Sequence, residues 1–232
     1  FLLVGEEEHR HSLHQQLEQF WSQCPVSDAN DFVALSLPET RSTVQQLWLT
    51  STQVSFCAKA YPTVPTGHPD AAALTVLGDY LRNGYLHRAI REKGGAYGAG
   101  AGQDNGDAVF RFFSYRDPRI EGTLDDFDRA LEWLATSEGD AQRLQEAILG
   151  VVSSMDKPGS PAGEAKSTYH SSLFGRTPEI RQAFRQRILS VTMDDLKRVA
   201  ANWLKPERAS LAVITSHKAA DALNGSWERI DI

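Results

Sequence analysis

Cysteine is scarce in this sequence: Cys24 and Cys57 are the only two among 232 residues. Two thiols exclude a disulfide framework and fit a reducing compartment, with burial as free thiols the ordinary use of the residue. Basic charge is also short. Lys and Arg number 24 against 30 Asp and Glu, a net charge of −6, which argues against nucleic acid as the main partner. No apolar run approaches the roughly 20 residues that span a bilayer, so no membrane segment is expected. An initiator Met and a signal-peptide pattern are missing too. Phe1-Leu2-Leu3-Val4 reads as a strand already under way. The expectation is a fragment of a longer polypeptide, with N-terminal processing as the competing explanation.

Recognisable catalytic motifs are equally thin. Neither H-E-x-x-H nor H-x-x-E-H occurs, so the zinc-peptidase helix signatures are absent. His11 and His14, three apart, share a helix face with His9 nearby, but the preceding Glu6-Glu7-Glu8 fits a solvated helix start better than a metal site. His68, His87, His170 and His217 are scattered. The one glycine-rich run matches no phosphate loop and follows a helix instead of opening one.

That run is what the sequence does offer. Arg91-Glu92-Lys93-Gly94-Gly95-Ala96-Tyr97-Gly98 ends a long helical pattern and leads into alternating Ala and Gly as far as Gly102. The helix is expected over His68–Glu92, with Ala72, Val76, Leu77, Tyr80, Leu81, Leu86 and Ile90 on one face and Asp70 in the first turn. Gly94 and Gly95 stop it. Ala96–Gly102 and Ala108–Tyr115 read as a hairpin joined through Asn105-Gly106. Arg91 and Tyr97 thus flank a helix-to-strand turn, where a guanidinium and a phenol can hold a peptide carbonyl or a developing oxyanion. The bare strand either packs tightly under a neighbour or lets a peptide add as another strand. Taken singly, Arg91 is an ordinary surface residue and Tyr97 a half-buried strand aromatic. Ser114-Tyr115-Arg116-Asp117-Pro118 reads as a turn held by an Arg-Asp pair.

The remaining pattern sets the fold class. Phe1–Val4 and a helix carrying Leu13, Leu17, Phe20 and Trp21 form an opening β-α unit, echoed by Ser210–Thr215 and Lys218–Leu223 near the end. Cys24–Thr40 reads as a linker. Val44–Tyr61 reads as strands ended by Pro62 and Pro65. Helices are expected over Leu124–Ser137 with Thr123 as cap, from Asp140 to Met155, over Ala165–Phe174 and Pro178–Leu189, and over Asp194–Leu204 with Thr192 and Asp195 as a capping box. The order is that of an α+β fold, a mainly antiparallel sheet with helices packed on it.

Arg91–Gly98 resembles the Arg/Tyr motif in the C-terminal half of insulinase-like, pitrilysin-type zinc metallopeptidases, and the presequence-protease branch in particular. Thr52-Gln53-Val54-Ser55-Phe56-Cys57-Ala58-Lys59-Ala60 resembles that branch's opening strand, and Ser114–Pro118 the end of its hairpin, in the same order. The resemblance implies a metallopeptidase-homology domain over residues 38–232, preceded by the closing β-α unit of another domain and a linker over 1–37. It implies zinc on an N-terminal half of the same polypeptide and none bound by this chain. Arg91 and Tyr97 would stabilise the scissile carbonyl, with Gly94, Gly95, Ala96 and Gly98 lining the substrate. Short unstructured peptides would be the substrates, in a bacterial cytoplasm, a mitochondrial matrix or a plastid. A non-catalytic scaffold of the same superfamily and a stand-alone peptide-binding module are the competing readings.

Overall fold

The computed structural model describes residues 1–25 and 42–232. Most of the stretch read as a linker, and the expected domain start at Pro38, lie outside the described residues. The chain forms two compact units, Phe1–Arg41 with Lys157–Arg181, and Ser42–Asp156 with Gln182–Ile232.

The larger unit is built on a six-stranded sheet of order β3-β4-β2-β5-β1-β6. Its strands are β1 (Gln45–Leu49), β2 (Phe56–Pro62), β3 (Gly98–Asp104), β4 (Val109–Tyr115), β5 (Ser210–Thr215) and β6 (Glu228–Asp231). β2 pairs antiparallel with β4 and β5, and β3 with β4, while β1 lies parallel to β5 and β6. The alternation of buried and open residues along β2 and β4 shows one face on the core and one turned outward. β6 was not expected; four residues, three of them charged, carry no alternation strong enough to read.

The long helix runs as α2 (Ala71–Leu81) and continues over Arg82–Lys93 as a π-helix. α2 is buried on nearly every side, beyond the single face its pattern predicts, because β3, α4 (Ala141–Met155) and α7 (Met193–Trp203) all pack against it. Gly78 permits the closest approach: a Cβ there would lie 2.7 Å from Gly102 Cα on β3. Asp70 stands at the helix start but caps no backbone group. Its carboxylate instead accepts hydrogen bonds from Arg198 Nη1 (2.7 Å) and Trp203 Nε1 (2.9 Å), tying α2 to α7. Thr192 and Asp195 form the expected capping box at the start of α7.

Two other local readings change. Thr123 lies inside α3 (Glu121–Thr136), fully buried, instead of capping it. The Arg-Asp turn pair is not Arg116 with Asp117. Asp117, itself fully buried, accepts from the Arg119 backbone N–H (2.9 Å) and the Thr123 hydroxyl (2.7 Å), while its own backbone exchanges two hydrogen bonds with Ser55. A buried carboxylate needs such donors more than it needs an exposed guanidinium. The Asn105-Gly106 turn also differs. Asp104 Oδ1 accepts from Gly106 N and Asp107 N, and the left-handed residue is Ala108 (φ 55°), giving a four-residue loop.

The smaller unit holds α1 (Arg10–Trp21) and α5 (Pro161–Leu173), neither with a fully buried residue. Phe1–Val4 is exposed and pairs with no strand among the described residues, so the expected opening strand is not formed there. An isolated apolar run has no ladder partner for its backbone groups. α5 begins four residues earlier than its periodicity indicated, because Ser160 accepts from Gly163 N and Pro161 suits the first helical position. α6 (Pro178–Leu189) follows, and its Phe184 and Ile188 are buried. No helix among the described residues is long and apolar enough to cross a membrane.

Candidate functional site

A π-helix closes i→i+5 hydrogen bonds and takes about 4.4 residues per turn. Its faces therefore recur at separations of four, five and nine. Leu81, Leu86 and Ile90 are all fully buried and obey that spacing, whereas 3.6 residues per turn would rotate Leu81 away from Leu86. His87, Arg91 and Glu92 form another stripe, exposed to solvent. The helix thus turns Arg91 outward while Ile90 anchors it.

The two glycines then perform different tasks. Gly95 takes a left-handed conformation (φ 82°), which favours glycine. Gly95 N donates to Arg91 O (3.1 Å) and Ala96 N to Ile90 O (3.1 Å), so the outer bond of this helix end spans one residue more than in a Schellman motif. Gly94 has ordinary backbone angles; its need is space. A Cβ there would meet Arg119 Nη2 at 2.1 Å and Ile90 O at 2.5 Å. Ala96 is buried and pins the turn. Tyr97 N donates to Arg116 O (3.3 Å), and Arg116 is itself left-handed (φ 50°), which brings the end of β4 round to meet the start of β3.

Arg91 Nη1 lies 3.2 Å from His87 Nε2, and His87 Nδ1 lies 3.4 Å from Glu92 Oε1. Arginine only donates, so His87 Nε2 accepts in this contact and Nδ1 carries the proton toward Glu92. Tyr97 is 67% exposed, against the expectation for a lone strand aromatic. Its ring meets Tyr115 edge-on at 5.6 Å, and Tyr115 meets Phe56 at 5.4 Å. No hydrogen bond joins Arg91 to Tyr97. Both stand exposed at the two ends of the Gly94-Gly95 turn, the first held by His87 and the second by Tyr115.

β3 divides the two roles proposed for the glycine run. Gly100 lies under the Phe113 ring, and Gly102 Cα is what Gly78 approaches, although a Cβ on Gly102 itself would meet nothing within 4 Å. A Cβ on Gly98 would meet nothing within 4 Å. β3 is an outer strand that pairs only with β4 among the described residues, so its other edge keeps unpaired backbone groups.

His87 and Arg119 were missed as supporting residues. The spacing of four between His87 and Arg91 was a readable signal; the reach of Arg119 over Gly94 was not. The described residues assemble no buried set of zinc ligands. Among the described residues one group of three possible ligands comes together, Glu6, Glu8 and His9, and all three are exposed. His14 pairs with Glu18 instead.

The mixed sheet packed against a long central helix is an α+β fold shared with solved peptidase structures. A protease from Helicobacter pylori has this fold, with a TM-score of 0.69 at 14% identity over 92% of this chain and 53% of its own. So does the peptidase M16 inactive domain of Pseudomonas fluorescens, with a TM-score of 0.62 at 15% identity over 95% of this chain and 52% of that one. The profile of the PreP C-terminal domain matches residues 45–216, and the chain belongs to that family. The mitochondrial presequence protease of Yarrowia lipolytica is 40% identical over 182 residues, which cover 78% of this chain and 18% of that protein. The chain thus spans about a fifth of the length of the curated relatives it matches.

Proposed function

We propose that the chain is the C-terminal part of a zinc metalloendopeptidase that degrades short unstructured peptides. Arg91 and Tyr97 would hold the substrate backbone and polarise the scissile carbonyl, and the turn Gly94-Gly95-Ala96 with Gly98 would line its path. The carrying observation is the pairing of an exposed Arg91 and an exposed Tyr97 across a turn that opens onto the free edge of β3. An extended peptide on that edge would find backbone partners, with the guanidinium and the phenol at its end. Zinc would come from an N-terminal half of the same polypeptide and would supply the activated water. Closure of the halves would complete the site. The mitochondrial names of the relatives favour that organelle for this chain. Combined with a matching N-terminal half, the chain should restore peptide cleavage. Arg91→Ala and Tyr97→Phe should each then lower kcat by roughly 10- to 1000-fold, the range for one oxyanion donor. Unchanged turnover in both variants would remove them from the mechanism.

A further inference from the structure

The π-helix carries a third stripe. Gly84, Tyr85, Arg88, Ala89 and Lys93 recur at separations of four, five and nine, and all line one cleft of about 510 Å³. In an ordinary helix, Gly84 and Lys93 would lie about two and a half turns apart, on opposite sides. The wide turn is what puts Lys93 and Arg88 on the same wall. α3 supplies the facing wall through Asp126, Arg129 and Trp133, and Arg119 also lines the cleft.

The charge of this cleft opposes that of the chain. Arg88, Lys93, Arg119 and Arg129 face a single lining carboxylate, in a protein of net charge −6. That carboxylate, Asp126, is buried and already shared, at 3.0 Å from Arg119 and 3.5 Å from Arg129. Glu132 stands close enough to act on Tyr85 but does not line the cleft. Arg88 and Lys93 are exposed and make no hydrogen bond or ion pair among the described residues. Arg119 Nε is buried without any hydrogen-bond partner. Trp133 adds a rigid wall, stacked on Tyr80 at 5.5 Å and seated where a Cβ on Gly84 would fall 2.5 Å from its ring.

We propose that this cleft is an oxyanion-binding site, in which Arg88, Lys93 and Arg129, with Arg119 beside them, take a carboxylate or phosphate group. Guanidinium groups match the geometry of both, and the partly enclosed walls weaken solvent screening. Neither Arg91 nor Tyr97 lines the site, which borders their turn only through Arg119. Two sources share this chemistry, the C-terminal carboxylate of a peptide and a free polyphosphate.

Calorimetric titration of the 232-residue chain at low salt tests the proposal, with pyrophosphate and with one short peptide as free acid and as C-terminal amide. At least one anion should bind. The double variant Arg88→Glu/Lys93→Glu, exposed on the surface and checked for folding by circular dichroism, should weaken it by at least about tenfold. Lys218→Glu, an exposed charge elsewhere, should leave it unchanged. Preference for the free acid over the amide identifies a peptide terminus as the ligand; binding of pyrophosphate alone identifies phosphate. Absence of binding by both anions would overturn the proposal. So would an affinity that survives the double reversal, or one that falls equally in Lys218→Glu.

Discussion

Gly78→Ala gives a test in which local helix preference and the packed structure predict opposite signs. In a helix interior, Ala is favoured over Gly by about 0.8–1 kcal/mol. On propensity alone the substitution should therefore stabilise α2. The structure leaves no room for it. The new methyl would sit 2.7 Å from Gly102 Cα, 3.0 Å from Ala101 O and 3.2 Å from Gly102 N. All three are backbone atoms, so no side chain can swing aside; either α2 or β3 must move. Overpacking of this kind costs about 1–3 kcal/mol. With the propensity gain subtracted, a net loss of about 1–2 kcal/mol is expected, and the clash sits at the strong end because the contact is so short. For a chain of this size each kcal/mol shifts Tm by about 2–4 °C, so a fall of about 2–8 °C is expected. Thermal and urea unfolding would measure it, with Gly102→Ala as the control, since a Cβ at Gly102 meets nothing within 4 Å. A higher Tm for Gly78→Ala would refute the close approach of helix and strand.

Asp70 should make stability depend on acid. Burial, its largest influence, opposes ionisation, but the hydrogen bonds from Trp203 and Arg198 outweigh it and hold the carboxyl below its ordinary value of 3.8. A depressed folded value means the contribution is complete above the unfolded value and is lost as pH falls through the folded one. Urea midpoints between pH 6 and pH 3 (roughly the range that brackets a free carboxylate) should fall more steeply for the parent than for Asp70→Asn, and parallel curves would count against the account. Asp117→Ala removes the acceptor of two hydrogen bonds from a fully buried site and should cost about 2–4 kcal/mol in urea unfolding. A cost below about 0.5 kcal/mol, the ordinary surface value, would sink that assignment. Cys57 is 1% exposed and its thiol is pushed up to about 12, chiefly by burial. At mildly alkaline pH a thiol reagent should modify Cys24 in the folded chain and reach Cys57 only after denaturant is added; prompt labelling of both would contradict its burial.

Much of this architecture is legible in the sequence because the signals are local. Ser210–Thr215 and Pro178–Leu189 fall where the structure has them, as do the capping box at Thr192 and the helix opening at Asp140. The Gly94-Gly95 stop is equally clear. What escaped depends on distant partners. β6 exists because β1 offers it an edge, not because Glu228–Asp231 is a good strand by itself. Asp117 finds Thr123 and Ser55 instead of the neighbouring Arg116. The π-helix lies between these cases. Its sign, the step of five from Leu81 to Leu86, was present but was absorbed into an ordinary helical period. The Arg91 and Tyr97 pair was visible as a motif, whereas the basic cleft needs the wide turn and the facing helix together.

The π-helix also sets which kinds of sequence change the chain can accept. A helix of ordinary pitch has one inner and one outer side, and replacing an outer residue concerns that residue alone. Over Arg82–Lys93 the wider winding serves the core, the cleft and the Arg91 side at once. Side chains on the two outer stripes can be exchanged one by one without disturbing the fold. The number of residues cannot change without rotating everything after it. Loss of one residue between Tyr85 and Ala89 would turn Ile90 out of the core and swing Lys93 and Arg91 off their stripes together. Length, more than identity, is what this segment must conserve.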